Sequence, residues 1–212
     1  MSDVFADKSR ETRSSGRPID HLLQAELGAF FRPSQLEAAD LTRHQLRALI
    51  RAGKVERIRR GLYRLVDVEP TEHYSLAMVC ARVPRSIVCL LSALRVHGIG
   101  SQAPADVWIA IPHKARVPRF PELRLRVVRF SGPAWTFGVK AIDFEGVPAR
   151  ITSVARTIVD CFRFERLVGP EAPMEALQDA LGQRKVSVNE LSRVEQLLPS
   201  RRLRAVLDAR SI

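Results

Sequence analysis

The chain is 212 residues long and 46% apolar, enough for one large domain, or for a small module plus a larger one, with a buried core throughout most of its length. A formal net charge of +11 and a pI of about 10.7 favour a polyanionic partner, nucleic acid or a membrane surface, and are silent on fold. The sequence has no run near the ~18 apolar residues of a membrane span, no apolar stretch of signal-peptide type and no basic amphipathic helix with aromatics, so a cytoplasmic protein without a membrane partner is expected.

Arginine dominates the basic residues. Its planar fork suits phosphates and guanine edges, although genome base composition also sets arginine use. Cys80, Cys89 and Cys161 sit in apolar sequence without a CxxC pair. They read as buried, reduced thiols.

Residues 1–18 are polar and leave through Ser-Ser-Gly-Arg-Pro, the composition of a disordered tail. Arg10, Arg13 and Arg17 are read as solvated there. From Ile19, the residues Leu22, Leu23, Leu27 and Phe30 recur at helical spacing. Pro33 suits a first helical position and opens a short helix with Leu36 and Ala39 inward. Asp40-Leu41 is a turn, and Thr42 is an N-cap for a third helix that buries Leu46, Leu49 and Ile50 and stops at Gly53. Two β-like runs flank Arg60-Gly61, a hairpin turn, between Val55 and Leu65. Helix, short helix, turn, helix and hairpin in about fifty residues is the order of a winged helix-turn-helix.

Asp67–Pro70 is a polar link. Helices are expected at Glu72–Val83 and around Leu90–Leu94, closed by Gly98 and Gly100. Strands follow at Val107–Ile111, Leu123–Phe130, Val139–Phe144 and Val147–Ile151, with a turn at Glu145-Gly146. Ser153 caps a helix through Phe164, and further helices fill Ala172–Leu181, Val188–Leu197 and Arg201–Ala209. The expected fold class is α+β. A winged helix-turn-helix at residues 19–68 follows the tail, and a larger mixed α/β domain occupies 69–212.

The third helix carries the sharpest chemical signal. Arg43, Arg47 and Arg51 fall at i, i+4 and i+8 on one face, with His44 and Gln45 beside them. A recognition helix needs one face for its own domain and one for the major groove. Thr42, Arg43, His44 and Arg47 are therefore candidates for groove contacts, and Arg51 for phosphate. The hairpin adds Lys54, Arg57, Arg59, Arg60 and Arg64, and Glu56 is the one acidic residue from Leu41 to Leu65. An Arg59-Arg60-Gly61 tip suits a phosphate backbone or a narrow minor groove. Charge on an exposed helix is often only a solvated face. Here order, capping, hairpin and charge concentration together favour DNA.

A second basic band contains His113, Lys114, Arg116, Arg119, Arg124, Arg126 and Arg129, interrupted by Glu122, with Arg124 and Arg126 on one strand face. A longer DNA footprint, RNA, an acidic partner and a solvated strand face all fit it. Enzyme signatures are missing: there is no phosphate loop, no HExxH and no GxSxG, and no catalytic residue, metal or cofactor is expected. Asp106, Asp143 and Glu145 flank strands and prompt a check for a metal nuclease, but the ExK spacing is absent and they read as strand-end and turn residues. His97 reads as a hydrogen-bonded structural histidine, and Arg156 with Asp160 as an intrahelical i, i+4 ion pair.

The stretch Leu41-Thr42-Arg43-His44-Gln45-Leu46, with Arg51-Ala52-Gly53-Lys54 and Ile58-Arg59-Arg60-Gly61-Leu62-Tyr63, resembles the N-terminal winged helix of AbiEi-type antitoxins of type IV toxin–antitoxin, or abortive-infection, systems. Leu91–Gly98 and Ile151–Asp160 resemble two segments of that family's second domain. The resemblance implies a bacterial autorepressor that binds inverted repeats in its own operator through Arg43, His44, Arg47, Arg59 and Arg60. It also implies a C-terminal domain that neutralises a nucleotidyltransferase-like toxin without requiring a stable complex. A monomer binding two half-sites cooperatively and a weak preformed dimer both fit the sequence. The alternatives are a nucleic-acid-processing, nuclease-like enzyme targeted by a winged helix, and a protein-interaction module with incidental basicity.

Overall fold

A computed structural model describes residues 27–68, 71–102, 104–121 and 123–210, apart from the side chains of Ala38 and Arg210. The expected tail, the start of the first helix with Leu22 and Leu23, and Glu122 lie outside these residues.

Leu27 is helical, Gly28 turns the chain, and Phe30–Phe31 form strand β1. Phe30 thus continues the helical spacing in sequence but sits in a strand, because the Phe30 and Phe31 rings gain more by burial beside the strand at Leu62–Leu65 than a helix end would allow; they are 0% and 1% exposed. The expected short helix is a pair of 3₁₀ turns, Pro33–Gln35 and Glu37–Ala39, ended by Asp40 at φ +51°. Helix α1 spans Arg43–Arg51. Strands β2 (Val55–Arg59) and β3 (Leu62–Leu65) form an antiparallel hairpin, and β1 pairs with the other edge of β3.

Helix α2 (Tyr74–Arg82) leads to the short strand β4 (Ile87–Val88) and helix α3 (Leu90–His97). Strands β5 (Val107–Pro112), β6 (Leu125–Phe130), β7 (Val139–Phe144) and β8 (Val147–Thr152) complete a five-stranded mixed sheet in the order β6-β5-β4-β8-β7. The β7–β8 turn has positive φ at both Glu145 and Gly146 (54° and 83°), the backbone a tight two-residue hairpin requires. Helices α4 (Val154–Arg163), α5 (Glu165–Val168), α6 (Ala172–Gly182), α7 (Val188–Leu197) and α8 (Arg201–Arg210) follow. The short α5 escapes a periodicity argument because four residues show no period.

Alternation along the strands divides the core into two faces. Val107, Ile109 and Ile111 of β5 join α2, β7 and β8 on one face, whereas Trp108 and Ala110 join α3, α4 and α6–α8 on the other. The first face also contains Phe30 and Leu62. A smaller cluster of Leu27, Phe31, Leu36, Leu46, Val55 and Leu65 lies under α1. The protein is therefore mixed α/β with two sheets. Among the described residues no helix is long and apolar enough to cross a membrane.

Candidate nucleic-acid interface

Helix α1 starts where it does because of its cap. The Thr42 hydroxyl accepts from the Gln45 amide at 3.2 Å, and the Gln45 side-chain oxygen accepts from the Thr42 amide at 2.8 Å. This reciprocal pair satisfies backbone donors that have no helical partner. It engages the Thr42 and Gln45 side chains locally, leaving Arg43, His44 and Arg47 projecting from the first two turns, all exposed. Leu46 is buried, and Leu49 and Ile50 pack beside it. The face division expected from sequence is present.

The hairpin stands next to this helix. Arg59 and Leu62 flank the Arg60-Gly61 turn, and Gly61 has φ +74°, a conformation that costs glycine nothing. The register shifts between Arg57 and Arg59, so Ile58 is an extra residue that bulges the strand. Arg57 lies opposite Tyr63, whose ring stacks on Phe31 at 5.8 Å. One groove is lined by Arg43 and Arg47 from α1 and by Arg57, Arg60 and Tyr63 from the hairpin. Thr42, His44, Arg51 and Arg59 do not line that groove and surround it in sequence. Among the described residues, none of Arg43, Arg47, Arg51, Arg57, Arg59 and Arg60 has a hydrogen-bond or ion-pair partner. Four of these guanidinium groups, Arg43, Arg47, Arg57 and Arg60, line the groove, and with no neutralising partner among the described residues they make it a strongly cationic concave surface.

Arg64 departs from the expected set. Its guanidinium is ion-paired to Glu56 at 2.7 Å and donates to the Tyr74 hydroxyl at 2.5 Å. Facing β1 and α2, it ties the hairpin to the body of the protein. It also neutralises Glu56, so the lone acidic residue of the region does not oppose an anion in the groove.

The second band is divided in the same way. Lys114, Arg116, Arg119 and Arg124 are exposed and have no partner among the described residues. Arg126 is ion-paired to Asp106 at 2.8 Å and lies 6.0 Å from the Trp108 ring. Arg129 donates to the carbonyls of Pro112 at 3.2 Å, Ala115 at 2.9 Å and His113, and so fastens the β5–β6 connection. Arg126 and Arg129 are thus structural cations. Their partners lie far enough away in sequence that spacing could not reveal them.

Each carboxylate considered for metal chemistry holds a partner through one oxygen, and the second oxygen of Glu145 is buried without a hydrogen-bond partner among the described residues. Asp106 holds Arg126, Asp143 accepts from the Gly146 amide at 2.6 Å, and Glu145 accepts from the Thr71 hydroxyl. Among the described residues no group of three or more His, Cys, Asp or Glu side chains is placed to hold a metal ion. His97 bonds through Nε2 to the Thr152 carbonyl at 2.7 Å, as a structural histidine does, and burial lowers its pKa. All three cysteines are free and buried, and burial pushes the Cys80 thiol up to about 12.

Arg156 and Asp160 form the expected ion pair, at 2.7 Å, with both side chains 0% exposed. Sequence spacing did not reveal how much else they hold. Arg156 also donates to the carbonyls of Phe137 at 2.5 Å and Ala134 at 2.9 Å and lies over Phe130 at 4.9 Å, while Asp160 takes a second bond from Arg163 at 2.8 Å. Burial raises the Asp160 pKa against the downward pull of both arginines. The pair anchors the β6–β7 connection to α4.

Residues 22–66, which contain this groove, match the family model described as transcriptional regulator, AbiEi antitoxin. Among solved structures, the chain is similar to the crystal structure of the RV2827C protein from Mycobacterium tuberculosis, with a TM-score of 0.51 and 17% identity over 84% of this chain and 70% of that one. At that identity the likeness is one of fold. No curated protein sequence matches the chain. Over residues 22–66, about the first third of the chain, the protein is therefore similar to the AbiEi antitoxin family of transcriptional regulators.

Proposed function

We propose that this protein is a DNA-binding autorepressor and the antitoxin of a type IV toxin–antitoxin system, with a winged helix-turn-helix at residues 19–68 and an antitoxin-type domain at 69–212. The observation that carries the DNA reading is the groove of Arg43, Arg47, Arg57 and Arg60, which have no hydrogen-bond or ion-pair partner among the described residues, at a Thr42-capped helix. In this reading α1 enters the major groove. Arg43, His44 and Arg47 meet base edges, Arg51 meets phosphate, and the hairpin tip with Arg57, Arg59 and Arg60 follows the backbone or the adjacent minor groove. Thr42 acts mainly through its cap. Lys114, Arg116, Arg119 and Arg124 lengthen the footprint or stabilise a bent site.

The antitoxin role rests on the family match of residues 22–66, and the toxin partner is expected to be nucleotidyltransferase-like. A nuclease reading needs carboxylates available at one place, and Asp106, Asp143 and Glu145 are each committed to separate partners.

The decisive experiment titrates the protein against its own upstream DNA and a scrambled duplex at two salt concentrations. A preference for the upstream DNA that survives higher salt is expected of a sequence-specific repressor. Equal and salt-labile binding to both duplexes would leave only a basic protein and reject the reading.

A further inference from the structure

The helical layer on the other face of the large sheet carries a surface of different composition. Two adjoining depressions are shared by α4, α5 and the start of α8, and four arginines line them: Arg163, Arg166, Arg201 and Arg202. Arg163 is held by Asp160 at 2.8 Å and lies over the Phe164 ring at 5.7 Å. Arg202 is held by Glu165 and lies over the Phe162 ring at 6.0 Å. Arg166 and Arg201 are exposed and have no partner among the described residues. Leu167 lines the same depression at 56% exposure, the most exposed large apolar residue among the described residues.

We infer that this surface docks a protein segment bearing carboxylates next to an apolar side chain. Charge complementarity carries the assignment. Arg166 and Arg201 are unneutralised among the described residues, while Arg163 and Arg202, held by their ion pairs and aromatic faces, give the depressions a fixed shape around them. The surface nevertheless differs from the α1–hairpin groove. Acidic groups are built into it, at Glu165 and beneath it at Asp160, and a leucine is exposed in its midst. A phosphate backbone gains from dense uninterrupted cation and gains nothing from Leu167. Arginine beside exposed apolar area is the composition of a protein interface. Lying across the sheet from the groove, the surface can be occupied while DNA is bound. The inference does not depend on the DNA reading.

The test uses the full chain and two probes: a fluorescein-labelled peptide alternating Glu and Leu, and a uridine RNA homopolymer. Anisotropy at physiological ionic strength should show the peptide binding, with affinity falling about tenfold or more in Arg166→Glu/Arg201→Glu. Leu167→Ser should weaken the peptide and leave RNA unaffected, and Arg47→Ala should leave the peptide unaffected. Because Arg166 and Arg201 have no hydrogen-bond or ion-pair partner among the described residues, the fold should persist; if the charge reversal lowers Tm, Arg166→Gln/Arg201→Gln must show the same loss. No peptide binding to the wild-type chain, or equal binding by wild type and double variant, overturns the inference. So does a result in which RNA is the probe whose binding depends on Arg166 and Arg201.

Discussion

Arg47 and Arg156 are the same residue type on helices of similar length, and they have opposite surroundings. Arg47 stands in an open groove without a hydrogen-bond or ion-pair partner among the described residues. Arg156 is fully buried and bonds a carboxylate and two carbonyls. Basicity in the sequence therefore does not mark function. The informative quantity is whether a cation is already satisfied by its own protein, because a satisfied guanidinium has little left to offer a ligand. Applied along the chain, the comparison removes Arg64, Arg126 and Arg129 from the candidate interface and retains Arg43, Arg47, Arg57 and Arg60 as candidates.

The contrast can be broken most forcefully at Arg156. Arg156→Met leaves Asp160 buried with one cation fewer and should cost about 3–5 kcal/mol of stability in urea denaturation. Arg156→Met/Asp160→Leu should recover much of that loss. A small effect of the single change would show that the pair is dispensable.

At Arg47 the pattern should invert. Arg47→Ala is expected to leave urea stability within about 0.5 kcal/mol while reducing affinity for the specific site by about 1–3 kcal/mol. Equal losses on specific and scrambled DNA would reassign it to phosphate.

Thr42→Ala separates capping from contact. It should lower stability by about 1 kcal/mol, and loss of DNA affinity should follow helix stability as temperature is changed. A large affinity loss at full helicity would give the hydroxyl a direct role. Arg59→Ala should flatten the plot of log affinity against log salt by about one charge; an unchanged slope removes Arg59 from the phosphate contacts.

The smallest effect is expected at His97. Burial lowers its pKa below the ordinary value of 6.5, so the unfolded chain takes up the proton first as pH falls. Its contribution to stability is present above 6.5 and is lost as pH falls through the lowered folded value. His97→Gln should therefore flatten the decline of Tm on mild acidification. A parallel decline in the variant would place the sensitivity elsewhere.

Much of the architecture was legible because it rests on local chemistry. Thr42 and Ser153 cap their helices as expected, and the Ser153 hydroxyl accepts from the Arg156 amide at 3.3 Å. Glu145-Gly146 turns the β7–β8 hairpin, and the continuous apolar run Val107–Ile111 forms a strand buried on both faces. Features set by distant partners were not legible. Phe30 belongs to a strand because β3, more than thirty residues later, offers it a neighbour at Arg64. Arg126 looked like part of a cationic stripe until Asp106 was brought to it. In the candidate site, helical spacing placed Arg43, Arg47 and Arg51 on one face. It could not show that Arg57 and Arg60, but not Arg59, face Arg43 and Arg47 across a groove.

The burial of Phe30 and Leu62 against α2 and the strands of the larger sheet has a consequence for how the molecule melts. Gly146 stands so close to the Phe30 carbonyl that a Cβ there would sit 3.0 Å from it. No layer of solvent separates the hairpin bearing the arginines from the sheet that follows it. Severing the chain after Val68 would strip the cover from two large apolar side chains, so the two sheets should unfold in a single transition, reported alike by a tryptophan at position 108 and by backbone dichroism.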